Sequence, residues 1–175
     1  MARLKSTTLF FLIVFVLTRC SQPPEKYFDV AVLNSNFVAG FADKRLAYEL
    51  GSPSVKLDEK SGGTVSMKRK EIIDSKIDFV EKSLDKLKGL SETDDTRAII
   101  QSSRAMYEYI LPIYKQDYQQ LASLYDEGAG EEKINAGLQA IHDKYYPKFD
   151  ELYSKLIADG KAYATKHNIK VNWAD

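Results

Sequence analysis

A lone cysteine, Cys20, excludes any disulfide within the chain, and two histidines leave too few ligands for most metal centres. A structural zinc site built from His and Cys is excluded by count. The glutamate–histidine pairs of di-iron bundles are missing, because Gln139 and Ala164 stand three residues before His142 and His167. No Cys-x-x-Cys-His, Gly-x-Ser-x-Gly or phosphate-cradling glycine loop occurs. Net charge is missing too, with 25 basic against 25 acidic residues. Acids and bases alternate along the chain, and the densest basic run, Lys68-Arg69-Lys70, is followed at once by Glu71. A nucleic-acid partner, which needs a concentrated basic face, is therefore not expected. These absences point away from catalysis, cofactors and metals.

What is present begins with the one long apolar run. Thr7 to Leu17 is apolar over eleven residues and follows Arg3 and Lys5. A membrane-spanning helix needs about 20 such residues, so the run fits a cleavable export signal instead. Leu17-Thr18-Arg19-Cys20 stands where cleavage would fall. This tetrapeptide resembles the lipobox of bacterial lipoproteins, with Leu at −3, a small residue at −2 and Cys at +1. It departs from the pattern at −1, where Arg19 replaces Gly, Ala or Ser. The resemblance covers the first 20 residues. It implies removal of residues 1–19 and attachment of fatty acid, such as palmitate, to Cys20. It further implies a lipid-anchored protein of the cell envelope. Ser21 rather than Asp at +2 implies the outer membrane in a Gram-negative host. Residues 20–24 then form a tether in which Ser21 to Pro24 reach about 13–14 Å when extended, leaving a domain over 25–175.

That domain reads as helical. Helix A is expected over Pro24–Leu50, with a seam of Phe28, Val32, Ser35, Ala39, Ala42 and Leu46. Asn34-Ser35-Asn36 marks an interruption of it or an alternative start. Val55–Val65, rich in Gly, Ser and charge, is expected to be an irregular mobile loop. Helix B, Ser66–Gly89, carries the stripe Ile73, Ile77, Val80, Leu84 and Leu87. Helix C follows the capping region Ser91–Asp94 and runs to about Glu127. Helix D runs from Glu131 to His167, with Asn168 as a left-handed cap. The tail Ile169–Trp173 is expected to lie against the helices through Trp173. No strand of convincing length is visible. The resulting fold class is all-α, an antiparallel up-down four-helix bundle with proline-kinked third and fourth helices.

Pro112 and Pro147 sit within helices C and D. They lie 17 and 18 residues from a turn centred on Ala129 (129 − 112 and 147 − 129), so in a hairpin both fall about 26 Å from the turn. Eight of the eleven tyrosines lie between Tyr107 and Tyr153, around this level. Tyr107, Tyr114 and Tyr118 share a face of helix C, and Tyr145 and Phe149 face them from helix D, with Tyr146 at the edge of that stripe. The same counting sets His142 opposite Asp117. Two readings of this constellation stand open. The rings fill a broad core with their hydroxyls reaching polar partners, or they line a small-ligand cavity at the kinks. The first accompanies a non-catalytic, membrane-anchored adaptor that binds a protein partner in the envelope. The second accompanies a carrier lipoprotein.

Overall fold

The computed structural model describes residues 22–173. The expectations for the signal and for lipid attachment at Cys20 lie outside these residues. The described chain is mostly helical, as expected for the all-α class, with one small hairpin.

Helix α1 (Pro24–Ala31) starts on proline and buries Tyr27, Phe28, Val30 and Ala31. It does not continue to Leu50. Ser35 Oγ donates to the Val32 carbonyl (2.7 Å) and Asn34 Nδ2 to the Val30 carbonyl (3.3 Å). Side chains thus compete for carbonyls that a continuing α-helix would bond. The chain tightens into a 3-10 helix over Leu33–Val38 and turns through Gly40 to Asp43. At Gly40 a Cβ would stand 2.7 Å from Arg45 Cβ, so the turn closes only around glycine. Helix α2 (Lys44–Gly51) comes next. The seam predicted for one long helix is still largely buried, because the broken segment keeps its apolar side inward.

Val55–Val65 is not an irregular loop. Strands β1 (Val55–Leu57) and β2 (Thr64–Ser66) pair antiparallel, with Lys56 opposite Val65. The Asp58 carboxylate accepts from Ser61 Oγ (2.5 Å) and Lys60 N–H (3.2 Å), and Gly62 takes a left-handed φ of 69°. These bonds close the turn between the two strands.

Helix α3 (Arg69–Lys88) is capped at its start from two sides. The Glu71 carboxylate accepts Lys68 N–H (2.8 Å), while the Asp126 carboxylate accepts Arg69 N–H (2.7 Å) and Lys70 N–H (3.1 Å). Helix α4 (Arg97–Ile113) passes, directly after Pro112, into a π-helical stretch over Tyr114–Tyr118 and on into α5 (Gln119–Asp126). Helix α6 (Glu131–Lys166) runs through Pro147 and ends with Asn168 at φ 55°.

Pairs along these elements fix their directions. Between α3 and the α4–α5 run, Glu81 meets Lys115 (2.5 Å) and Asp74 meets Gln119 (2.6 Å), so the two are antiparallel. Leu121 packs on Gly137, and Asp95 pairs with Lys166 just before α4, so α6 is antiparallel to that run as well. Phe28 meets Trp173 edge-on at 5.9 Å, and Val32 packs on Gly160. The chain after residue 22 therefore starts beside the end of α6. The hairpin sits at the opposite end, where Arg69 Nε donates to the Leu50 carbonyl at the start of α3. Helix α3 alone, at 1.5 Å per residue, separates the two ends by about 30 Å.

Candidate functional site

The π-helical stretch brings Tyr114 and Tyr118 to the same interior. Both are fully buried, as are Tyr107 and Phe149. What organises them is a residue outside the expected set. Phe41, from the turn before α2, inserts its ring at 5.2 Å from Tyr114, 5.6 Å from Tyr118 and 5.0 Å from Phe149. Tyr114 and Tyr118 lie 5.2 Å apart. Edge-on and tilted packing at these distances is favourable beyond simple burial, and the space between the rings is occupied. A Phe within a turn carries no periodicity, so helical spacing gave no sign of it.

The backbone beside Phe41 is held from two sides. Ala42 adopts φ 53°, a left-handed conformation costly for a residue with a Cβ. Its N–H donates to Tyr118 Oη (2.8 Å), and its carbonyl accepts from His142 Nδ1 (2.8 Å). A carbonyl has no proton to give, so His142 carries its proton on Nδ1 here. The imidazole stacks on Tyr146 at 4.8 Å. Asp117 instead accepts from Tyr145 Oη (3.1 Å), and Tyr109 Oη donates to the Tyr145 carbonyl (3.1 Å). His142 and Asp117, set opposite each other by residue count, therefore lie at this level but take other partners.

The chemistry of the set is that of a core. Burial pushes the phenols of Tyr107, Tyr114 and Tyr118 well above their ordinary range, which keeps them protonated. Tyr107 Oη and Ser103 Oγ are buried without a hydrogen-bond partner among the described residues. The Tyr145 hydroxyl beside Lys144 raises the pKa of that ammonium. No three His, Cys, Asp or Glu side chains converge as a metal site among the described residues. Asp117 and Lys144 also line a shallow depression of about 390 Å³ between α5 and α6.

Tyr118→Phe tests the hold on Ala42. The phenyl ring keeps its place, but Ala42 N–H is left buried and unpaired. The expected cost is about 1–3 kcal/mol, read as a lower denaturant midpoint with an unchanged slope. An unchanged midpoint would show that the strained turn is held by packing alone.

Two surfaces lie outside the expected set. On the hairpin, Val55, Leu57 and Val65 are exposed, and Leu57 keeps 67% of its surface in water. A groove of about 700 Å³ runs between Val32 at the end of α1, the 3-10 helix, Arg45 of α2, α6 and the C-terminal tail. Among the described residues no helix is long and apolar enough to cross a membrane. The chain matches no family model, no curated protein and no solved structure.

Proposed function

We propose that the chain is a cell-envelope lipoprotein, cleaved before Cys20 and anchored by acyl chains on that residue, whose domain is a non-catalytic adaptor for a protein partner. In a Gram-negative host the anchor lies in the outer membrane. In the fuller form of this reading, the Pro24–Gly51 segment, α3, the α4–α5 run and α6 make an up-down bundle of four spans bent at Pro112 and Pro147. The antiparallel pairings Glu81–Lys115 and Leu121–Gly137 support that arrangement.

One observation carries the adaptor reading. The exposed apolar hairpin lies at the opposite end of α3 from the start of α1, so an anchor before Pro24 would point it away from the membrane. Its hydrogen bonding also leaves an edge to offer. Met67 N–H donates to the Ser54 carbonyl and Asp58 N–H to the Gly63 carbonyl, both 2.8 Å. Ser54–Met67 and Asp58–Gly63 are thus bonded pairs. By the alternation of an antiparallel ladder, the backbone groups of Val55 and Leu57 point away from β2. An unpaired edge with exposed apolar side chains is a template for another strand. The partner on this reading contributes an extended segment that adds beside β1.

A photoactivatable cross-linker at Leu57, with Lys86 as the control position, tests this in the producing cell. The expected result is one discrete adduct from position 57, none from 86, and its loss on Val55→Pro. Proline at 55 removes an outward-pointing N–H without touching the β1–β2 bonds. Adducts of equal pattern from both positions, or none from 57, would remove the case for the hairpin.

A further inference from the structure

The groove between α1 and α6 carries an inference independent of the hairpin and of the anchor. Next to it, residue 160 of α6 is glycine. A Cβ there would stand 2.8 Å from Cγ1 of the lining residue Val32, which follows α1, so the chain approaches α6 as closely as it does only without one. One wall carries Tyr153, Ile157 and Lys161, each four residues apart on one face of α6. Val32, Leu33 and Ala39 form the opposite wall. The tail closes the groove with Val171 and Trp173, and Trp173 is held edge-on to Phe28 with Lys161 Nζ 5.5 Å from its ring centre. The volume of about 700 Å³ falls within the range of small-molecule sites.

Charge sets the class of occupant. Two cations line the groove, Arg45 and Lys161, and no acidic residue does among the described residues. Neither cation has a carboxylate partner among the described residues. Asn36 and Asn172 add neutral amide groups to the lining. An apolar trough with cations and amides along it is complementary to a molecule with a slender apolar body and a negative head. We propose that this groove binds a single-chain amphipath with an anionic head group, its alkyl chain lying along Ile157, Val171 and Trp173 and its head held by Arg45 and Lys161. A carboxylate and a phosphate monoester share the required chemistry.

Trp173 is the only tryptophan in the chain and lines the groove, so it reports contact directly. The test uses the full chain in phosphatidylcholine vesicles and alkyl probes brominated on the chain, which quench tryptophan on contact. Brominated dodecanoate and dodecyl phosphate are expected to quench to saturation, and their order of affinity distinguishes a carboxylate from a phosphate ligand. Brominated dodecanol, which lacks the charge, is expected to bind roughly ten-fold more weakly, equivalent to about 1.4 kcal/mol. Arg45→Glu with Lys161→Glu should weaken the anionic probes at least as much. Both side chains are exposed, so the variant keeps its fold, checked by far-UV circular dichroism. Lys82→Glu, a control away from the groove, should leave binding unchanged. Equal quenching by alcohol and acid would overturn the proposal. So would unsaturable quenching that survives in the double variant, or no quenching at all.

Discussion

Phe41→Ala is expected to lower the melting temperature by roughly 10–15 °C. The ring is fully buried and touches Tyr114, Tyr118 and Phe149, which come from the π-helical stretch and from α6. Truncating a buried Phe to Ala costs about 3–5 kcal/mol, because the lost transfer energy is joined by the cavity left behind. Collapse around that cavity is restricted here. The neighbours are large rings, and Tyr118 is fixed by its hydrogen bond to Ala42. For a domain of this size each kcal/mol shifts the melting temperature by about 2–4 °C. Phe37→Ala supplies the comparison. Phe37 is half exposed and stacks on Phe79 at 4.1 Å, so it forfeits far less burial. Thermal unfolding of the two variants side by side checks the assignment. A shift for Phe41→Ala no greater than that for Phe37→Ala would mean that the aromatic cluster is not a principal core.

How much of the fold and site was legible in the sequence depends on which physical quantity each expectation used. Axial level comes from residue count alone, and it transferred well. A turn centred on Ala129 places residues 121 and 137 at one height, and Leu121 does pack on Gly137. Asp117 and His142 were set at one level by the same count and do lie near it. Direction around the helix axis transferred for Tyr107, Tyr114 and Tyr118, which are all buried as their shared face required, but not for Asp117 and His142. Counting in steps of 3.6 assumes an unbroken α-helix, whereas the π-helical stretch over Tyr114–Tyr118 inserts extra chain and rotates the residues beyond it. Asp117 consequently meets Tyr145, and His142 is left to the carbonyl of Ala42. The broken N-terminal helix was half legible. Asn34-Ser35-Asn36 marked the place, and the bonds of Ser35 and Asn34 to carbonyls of the preceding turn supply the reason. The hairpin was missed because three-residue strands are shorter than the window in which alternation can be told from chance. Phe41 belongs to no periodic element, so its role becomes visible only when the turn is folded against the helices.

Cys20→Ser is expected to abolish fatty-acid incorporation and to make the protein extractable from membranes by alkaline carbonate. The proposed anchor rests on a diacylglyceryl group joined to the Cys20 sulfur by a thioether, which a serine hydroxyl cannot form. The energetics make the change nearly all-or-none. Each buried CH₂ contributes about 0.8 kcal/mol, one acyl chain binds only marginally, and a second makes anchoring stable. An uncleaved leader is a poor substitute, because its apolar run of eleven residues falls short of the about 20 that a spanning helix needs. Metabolic labelling with palmitate and carbonate extraction of native and variant protein give the two readouts. Native protein without label, or a variant held as firmly as the native one, would sink the anchor. The outcome also bears on the hairpin. On the proposed anchor, a tether of residues 21–24 reaches at most about 14 Å, which would keep α1 next to the bilayer and, by the length of α3, set β1 some 30 Å further out. Without the acyl chains that distance is no longer fixed to any membrane. A partner met through β1 in the envelope should then be lost from the Leu57 adduct in Cys20→Ser cells, although the hairpin itself is unaltered.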